Sequence, residues 1–268
     1  MKNNVLHRVP AKRASTSIGF PLFAVDIGNC RVKFALYQRG EVRRFRTISS
    51  VIRSCTNGET AHWGIGSVCP AKTKKISEQI RRKRPDDTIT VLQAKNLPLK
   101  TAVDCPEQVG IDRLLAAYAA VLWKRENRPK DSLTPMLLCD LGTAITVDLV
   151  SPDDVFLGGA ILPGMSLAAK SLRRGTAQLP TAKLLEGGSP FPGKNTTDAI
   201  RAGIFHSTIG TIRRFYDLTS PKPLLLLTGG DAEMVFPEIQ RQLPVFFLPQ
   251  LVLDGIHAAI SSQKTDFA

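Results

Sequence analysis

The sequence predicts an α/β protein of two related lobes, and three observations lead there. The first is a motif that occurs twice, 114 positions apart: Ala24-Val25-Asp26-Ile27-Gly28-Asn29 and Leu138-Cys139-Asp140-Leu141-Gly142-Thr143. Each copy runs an apolar strand into an aspartate, a glycine and a small polar residue. The second is the alternation that resumes after each turn, at Val32, Phe34 and Leu36 and again at Ile145, Val147 and Leu149, which makes each motif a β-hairpin with a tight polar bend. The third is the succession after the second bend of strand, strand, strand, helix, strand, helix, the order of a ribonuclease-H-like lobe.

The elements follow in turn. Residues 1–18 mix Asn, Arg, Lys, Ser and Thr around Pro10 with no apolar periodicity, which predicts a flexible basic tail. A first lobe over 19–126 opens with the hairpin and continues through strand-like pieces at Val42–Ile48 and Ala61–Val68. A helix over Thr73–Lys83 carries Ile76 and Ile80 at helical spacing and stops at Pro85, and Thr88–Leu92 reads as a strand. Gln108–Arg125 is the clearest helix, with Leu114, Leu115, Tyr118, Val121 and Leu122 in a stripe among alanines. Residues 127–135, with two prolines, read as the linker. A second lobe over 136–268 then holds the second hairpin, a strand at Val155–Leu162, helices at Ser166–Arg174 and Asp198–Phe215, a buried strand at Leu224–Leu227 and a closing helix at Val252–Ser261.

Composition narrows the function classes. A chain of 268 residues with 43% hydrophobic content can bury two modest cores. Its longest apolar runs are too short to span a bilayer and its start lacks an apolar signal core, so a cytoplasmic protein without membrane attachment is expected. Five cysteines without a CxxC pair fit reduced thiols rather than structural zinc. His206 and His257, each in an apolar helical stretch, read as core or interface histidines. The net charge of +13 is uneven, because residues 1–100 hold 20 Lys or Arg against 6 Asp or Glu. Its densest runs are Arg43–Arg46, Lys72–Lys75 and Arg81–Arg84, which read first as solvated faces and second as attractors of anions.

Two turns of this kind suit a phosphate-bearing nucleotide. Glycine lets the backbone approach a bound group, and an aspartate at a strand end can position a cation. In the first turn, Asp26–Lys33 offers the N–H groups of Gly28 and Asn29, a polar side chain and a lysine for triphosphate oxygens. Gly188–Lys194 imitates a Walker loop, but Asn195 stands where a magnesium-holding Ser or Thr belongs, and two prolines and the lack of a preceding strand argue against it. Gly110-Ile111-Asp112-Arg113 opens the long helix. There Asp112 reads either as a helix-terminal acid steadied by the dipole or as a general base beside an arginine that can clamp an acidic substrate.

Six motifs stand in register: DIGN at 26–29, GIDR at 110–113, DLGTAITVD at 140–148, GGAILPG at 158–164, GKNT at 193–196 and TGGD at 228–231. In this order they resemble the type III pantothenate kinases over nearly the whole chain from Phe20. The resemblance implies the acetate-kinase, sugar-kinase, Hsp70 and actin superfamily, with ATP in the cleft between two ribonuclease-H-like lobes. It implies ATP-dependent phosphorylation of pantothenate to 4′-phosphopantothenate, the first step toward coenzyme A. By matching position, ATP would be held by Asp26, Ile27, Gly28, Asn29, Cys30, Arg31, Val32 and Lys33, and by Thr143. Asp112 would accept the hydroxyl proton; Gly110, Ile111, Asp112, Arg113 and Thr196 would bind pantothenate. Asp140 would hold a monovalent cation, potassium or ammonium, while magnesium accompanies ATP. A homodimer is implied as well. Cys30 stands where the family places a hydroxyl residue, and Val103 where relatives place a substrate-contacting tyrosine.

Two other readings stay open on sequence. The basic first lobe and tail would suit a regulatory protein that binds nucleic acid, which salt-sensitive DNA binding would reveal. A kinase of the same superfamily acting on a sugar or acyl substrate would ignore pantothenate.

Overall fold

The computed structural model describes residues 21–38, 40–55, 59–184 and 189–265. The expected tail at 1–18 lies outside them, as does the leading glycine of the Walker-like stretch. The chain divides into two compact units, one reaching to Pro129 and resuming at Gln250, the other spanning Lys130–Pro249.

The first unit contains β1 (Leu22–Ile27), β2 (Val32–Gln38), β3 (Glu41–Phe45), α1 (Ile48–Arg53), β4 (His62–Ser67), α2 (Pro70–Lys83), β5 (Thr88–Val91), the two-residue β6 (Lys100–Thr101) and α3 (Ile111–Asn127). Its sheet runs β3-β2-β1-β4-β5, with β1–β2 and β2–β3 antiparallel and β1–β4 and β4–β5 parallel. The second unit contains β7 (Met136–Leu141), β8 (Ala144–Val150), β9 (Val155–Pro163), α4 (Met165–Gly175), α5 (Thr196–Leu218), β10 (Leu224–Thr228), α6 (Ala232–Gln242) and β11 (Val245–Phe247). There β9-β8-β7-β10-β11 repeats the same order and the same senses of pairing. Three antiparallel strands followed by two parallel ones, found twice, are the two ribonuclease-H-like lobes expected from the repeated hairpin.

The last helix corrects the expected boundary. Helix α7 (Leu251–Thr265), assigned on sequence to the second lobe at 136–268, packs against α3, β1 and β4 of the first unit. Glycines make the fit possible. A Cβ on Gly64 would lie 2.8 Å from Ile256 and Ile260, and one on Gly66 2.6 Å from Leu115. The helices therefore lie flush on β4. Where α7 meets α3, a Cβ on Gly255 would stand 2.2 Å from the Leu115 carbonyl oxygen. That neighbour is backbone and cannot rotate away, so Gly255→Ala forces the helices apart. The expected loss is about 1–3 kcal/mol, the usual cost of overpacking, read as a lowered midpoint in thermal unfolding. Gly203→Ala is the control, because nothing lies within 4 Å of its Cβ and a helical alanine is favoured over glycine.

Other elements also differ from expectation, and three of them have an identifiable physical cause. The strand expected over Val42–Ile48 ends at Phe45 and a helix begins at Ile48, because Thr47 Oγ1 accepts the Ser50 N–H at 3.2 Å while Ser50 Oγ accepts the Thr47 N–H at 3.3 Å, a reciprocal cap. Helix α2 starts at Pro70 instead of Thr73, since a proline in the first turn lacks only an N–H that would have no helical partner anyway. Helix α6 lies in a stretch where no element is expected from the sequence; it contains Pro237, whose cost is offset by burial of Val235, Phe236 and Ile239 in the second core.

Candidate active site

In an open α/β sheet, ligands gather where strand order reverses at the carboxyl ends of the strands. In the first unit β1 is that strand, with antiparallel β2 on one side and parallel β4 on the other. Near its end Asp26 is 8% exposed. Lys33, its partner across the hairpin, sets Nζ 3.3 Å from Asp26 Oδ2. Burial pushes the Asp26 carboxyl above the ordinary carboxylate range. Lys33 pulls it partly back, and the charge of Asp112 adds to the upward push. The two acids therefore share one electrostatic neighbourhood.

The bend between β1 and β2 is a four-residue loop, Gly28–Arg31, closed by the Gly28 N–H donating to the Arg31 carbonyl at 3.0 Å. Gly28 is half-buried, Asn29, Cys30 and Arg31 exposed, and Val32 half-buried at the start of β2. Ile27 is fully buried in the core, so its side chain is turned away from the loop and only its backbone is available to a ligand.

Asp112 lies in the first turn of α3, whose N-cap is Gly110. Its Oδ1 accepts the N–H of Arg113 at 2.9 Å, and a Cβ on Gly110 would stand 2.6 Å from that same oxygen. The glycine is what lets the carboxylate fold back over the helix start. Val68 Cγ1, in the β4–α2 connection, would lie 3.7 Å from that Gly110 Cβ, and the Val68 N–H donates to the Ile27 carbonyl at 3.1 Å. Thus the end of β1, the β4–α2 connection and the head of α3 converge. Asp112 and Arg113 are half-buried, while Ile111 is buried and adds only packing.

In the second unit the corresponding bend is three residues, Gly142–Ala144, closed by the Gly142 N–H donating to the Ala144 carbonyl at 3.0 Å. Asp140 faces Thr146 across the hairpin, where the first bend has its lysine. Two other glycine motifs close on this bend. A Cβ on Gly164 would stand 2.2 Å from the Gly142 carbonyl oxygen, and one on Gly229, at φ +96°, 2.4 Å from Asp140 Oδ1. The Asp231 N–H donates to the Leu141 carbonyl at 2.9 Å. Thr143 is exposed beside a half-buried Asp140. Gly164 and Gly229 let the GGAILPG and TGGD segments pack directly against the bend and against the Asp140 carboxylate. Thr196 is the exposed first residue of α5, where Asn195 accepts the Asp198 N–H at 3.0 Å. A Cβ on Gly193 would stand 2.4 Å from the Ala199 amide nitrogen, which explains the glycine of GKNT.

One residue escaped the sequence reading. Lys72, counted there as part of a solvated basic run, donates from Nζ to the Gly28 carbonyl at 3.3 Å and to the Asn29 carbonyl at 2.6 Å. His206 is exposed, with Nε2 3.0 Å from the Ser189 carbonyl oxygen, and does not sit in a core; His257 stacks on Tyr37 at 4.3 Å.

Comparison with known proteins gives consistent results. A family profile described as Type III pantothenate kinase matches residues 22–218. The type III pantothenate kinase of Alkalilimnicola ehrlichii is 32% identical over 249 residues, 87% of this chain and 94% of the relative. That of Synechococcus elongatus is 31% identical over 205 residues, 75% of each chain. The crystal structure of a Baf family protein from Campylobacter jejuni, provisionally described as a transcriptional activator, covers 91% of this chain and 99% of that one, with a TM-score of 0.58 and 20% identity. That last similarity is one of fold.

Proposed function

The chain belongs to the type III pantothenate kinase family, and from that premise we propose that it transfers the γ-phosphoryl group of ATP to the terminal hydroxyl of pantothenate. The observation that supports the residue assignment is the convergence of the α3 head, which carries Asp112, with the end of β1 that leads into the glycine bend: Val68 donates its N–H to the Ile27 carbonyl at 3.1 Å and packs at Gly110. A phosphate loop and a carboxylate base must be neighbours for the attacking oxygen and the phosphorus to meet.

In this reading Asp112 accepts the hydroxyl proton as the oxygen attacks the γ-phosphorus, and the bond to the β-phosphate breaks to release ADP. Phosphoryl transfer asks the protein mainly for position and for stabilisation of spreading negative charge. The backbone of Gly28–Arg31, the ammonium of Lys33 and the hydroxyl of Thr143 are the groups assigned to supply that. Arg113, with Gly110, Ile111 and Thr196, holds pantothenate, whose carboxylate is the natural mate of a guanidinium. Asp140 would hold a monovalent cation, potassium or ammonium, which would supply fixed positive charge. Magnesium would accompany ATP, and Asp26 would be the carboxylate of the first bend available to it, where it would supply positive charge to the phosphates. The protein acts as a homodimer in the cytoplasm. Among the described residues no helix is long and apolar enough to cross a membrane.

The test is ATP consumption with pantothenate, with and without potassium. Turnover is expected to require pantothenate and to rise several-fold when potassium or ammonium replaces sodium. ATP consumption with sugars but not with pantothenate would overturn the assignment, and indifference to the cation would remove the role of Asp140.

A further inference from the structure

The basic run at Lys72–Lys75 divides in the structure. Lys74 and Lys75 are exposed, whereas Lys72 is half-buried and turned onto the first bend. Its ammonium reaches two successive carbonyl oxygens, those of Gly28 at 3.3 Å and Asn29 at 2.6 Å. In a trans peptide the C=O and the following N–H point in opposite directions. Holding those two oxygens therefore aims the N–H groups of Asn29 and Cys30 away from Lys72. Among the described residues neither amide donates to another protein group. Two successive free amides with a common heading form an anion-binding concavity.

The anchor of Lys72 is itself fixed. Ser67 Oγ accepts from the Cys69 N–H at 3.0 Å and from Thr73 Oγ1 at 2.6 Å, and Thr73 Oγ1 also lies 3.0 Å from the Cys69 carbonyl. With the Val68 N–H bonded to Ile27, the first turn of α2 is tied to the end of β1. A long side chain starting from that turn reaches a defined place.

We propose that Lys72 is a positioning residue for nucleotide: it pins the Gly28 and Asn29 carbonyls so that the next two amides face the phosphates. This rests on the reading of the first bend as the ATP site. Removing the ammonium frees the loop to rotate its peptides, so the loss falls on ATP and spares pantothenate.

The experiment compares wild type, Lys72→Met and Lys72→Arg. Affinity for a non-hydrolysable ATP analogue is measured by calorimetry without pantothenate, and KM is measured for each substrate by turnover. Lys72→Met is expected to weaken analogue binding and raise the KM for ATP about tenfold, the scale of one hydrogen bond from a charged donor. The KM for pantothenate should stay within a factor of two or so, and Lys72→Arg should recover most of the loss because it keeps charge and donors. Unchanged analogue affinity in a folded Lys72→Met protein overturns the proposal, as does an equal rise in both KM values. If wild type binds the analogue yet leaves pantothenate unphosphorylated, the acceptor assignment fails while the binding comparison still judges Lys72.

Discussion

Asp112→Asn is expected to lower kcat for pantothenate phosphorylation by about a hundredfold to ten-thousandfold, the usual worth of a positioned general base. That loss corresponds to roughly 3–5 kcal/mol of barrier. The amide matches the carboxylate in size, and its oxygen can still accept the Arg113 N–H that Asp112 Oδ1 accepts at 2.9 Å. The head of α3 should therefore keep its shape. ATP binding should be largely intact, since the nucleotide contacts assigned to the first bend do not pass through residue 112. Steady-state turnover and direct nucleotide binding, measured on the same preparation, separate the two effects. Equal turnover in the two proteins would remove Asp112 from the chemistry.

Asp87→Ala is expected to destabilise the first lobe by about 3–5 kcal/mol, the cost of stranding a largely buried partner charge. The Asp87 side chain is 1% exposed and that of Arg84 16%. Its two oxygens accept from Ala61 N at 3.0 Å, Trp63 Nε1 at 2.8 Å and Arg84 Nε at 3.0 Å. Trp63 is fully buried and stacks on Phe23 at 4.4 Å, so its N–H has no water to turn to once the carboxylate is gone. Burial pushes the Asp87 carboxyl up, but the hydrogen bonds from Arg84, Trp63 and Ala61 outweigh it and hold the group below its ordinary value. The sign follows from linkage. A carboxyl held low in the folded state stabilises above its unfolded pKa, and that contribution fades as pH falls below about 4. Denaturant unfolding of wild type should therefore weaken on acidification in that window, and the Asp87→Ala protein should lose that part of the acid dependence. A difference between the proteins that is the same at pH 7 and at pH 3 would exclude the linkage.

Much of this could be read from the chain because it is local. The hairpins announced themselves by alternating apolar residues on both sides of an Asp-x-Gly bend, and the repetition implied two sheets of one topology. The carboxylates at 26, 112 and 140 were visible because strand ends and helix starts carry their own signatures. What stayed hidden depends on contacts between distant positions. Periodicity shows that α7 has an apolar face but not which lobe receives it; that is decided by glycines at 64, 66 and 255, seen only when strand and helices meet. Lys72 looked like its neighbours 74 and 75, because only the fold brings the bend at 28–29 to it. The Asp87 cluster joins residues 24 and 26 positions apart, beyond any window a pattern can scan.

The return of α7 to the first lobe bears on how the protein is made. The ribosome delivers β1–β5 and α3 early, yet the apolar floor around Gly64, Gly66 and Leu115 has no cover until residues past 250 emerge. The lobe begun first is completed last, so newly synthesised chain carries an uncapped sticky surface throughout translation of its sister lobe.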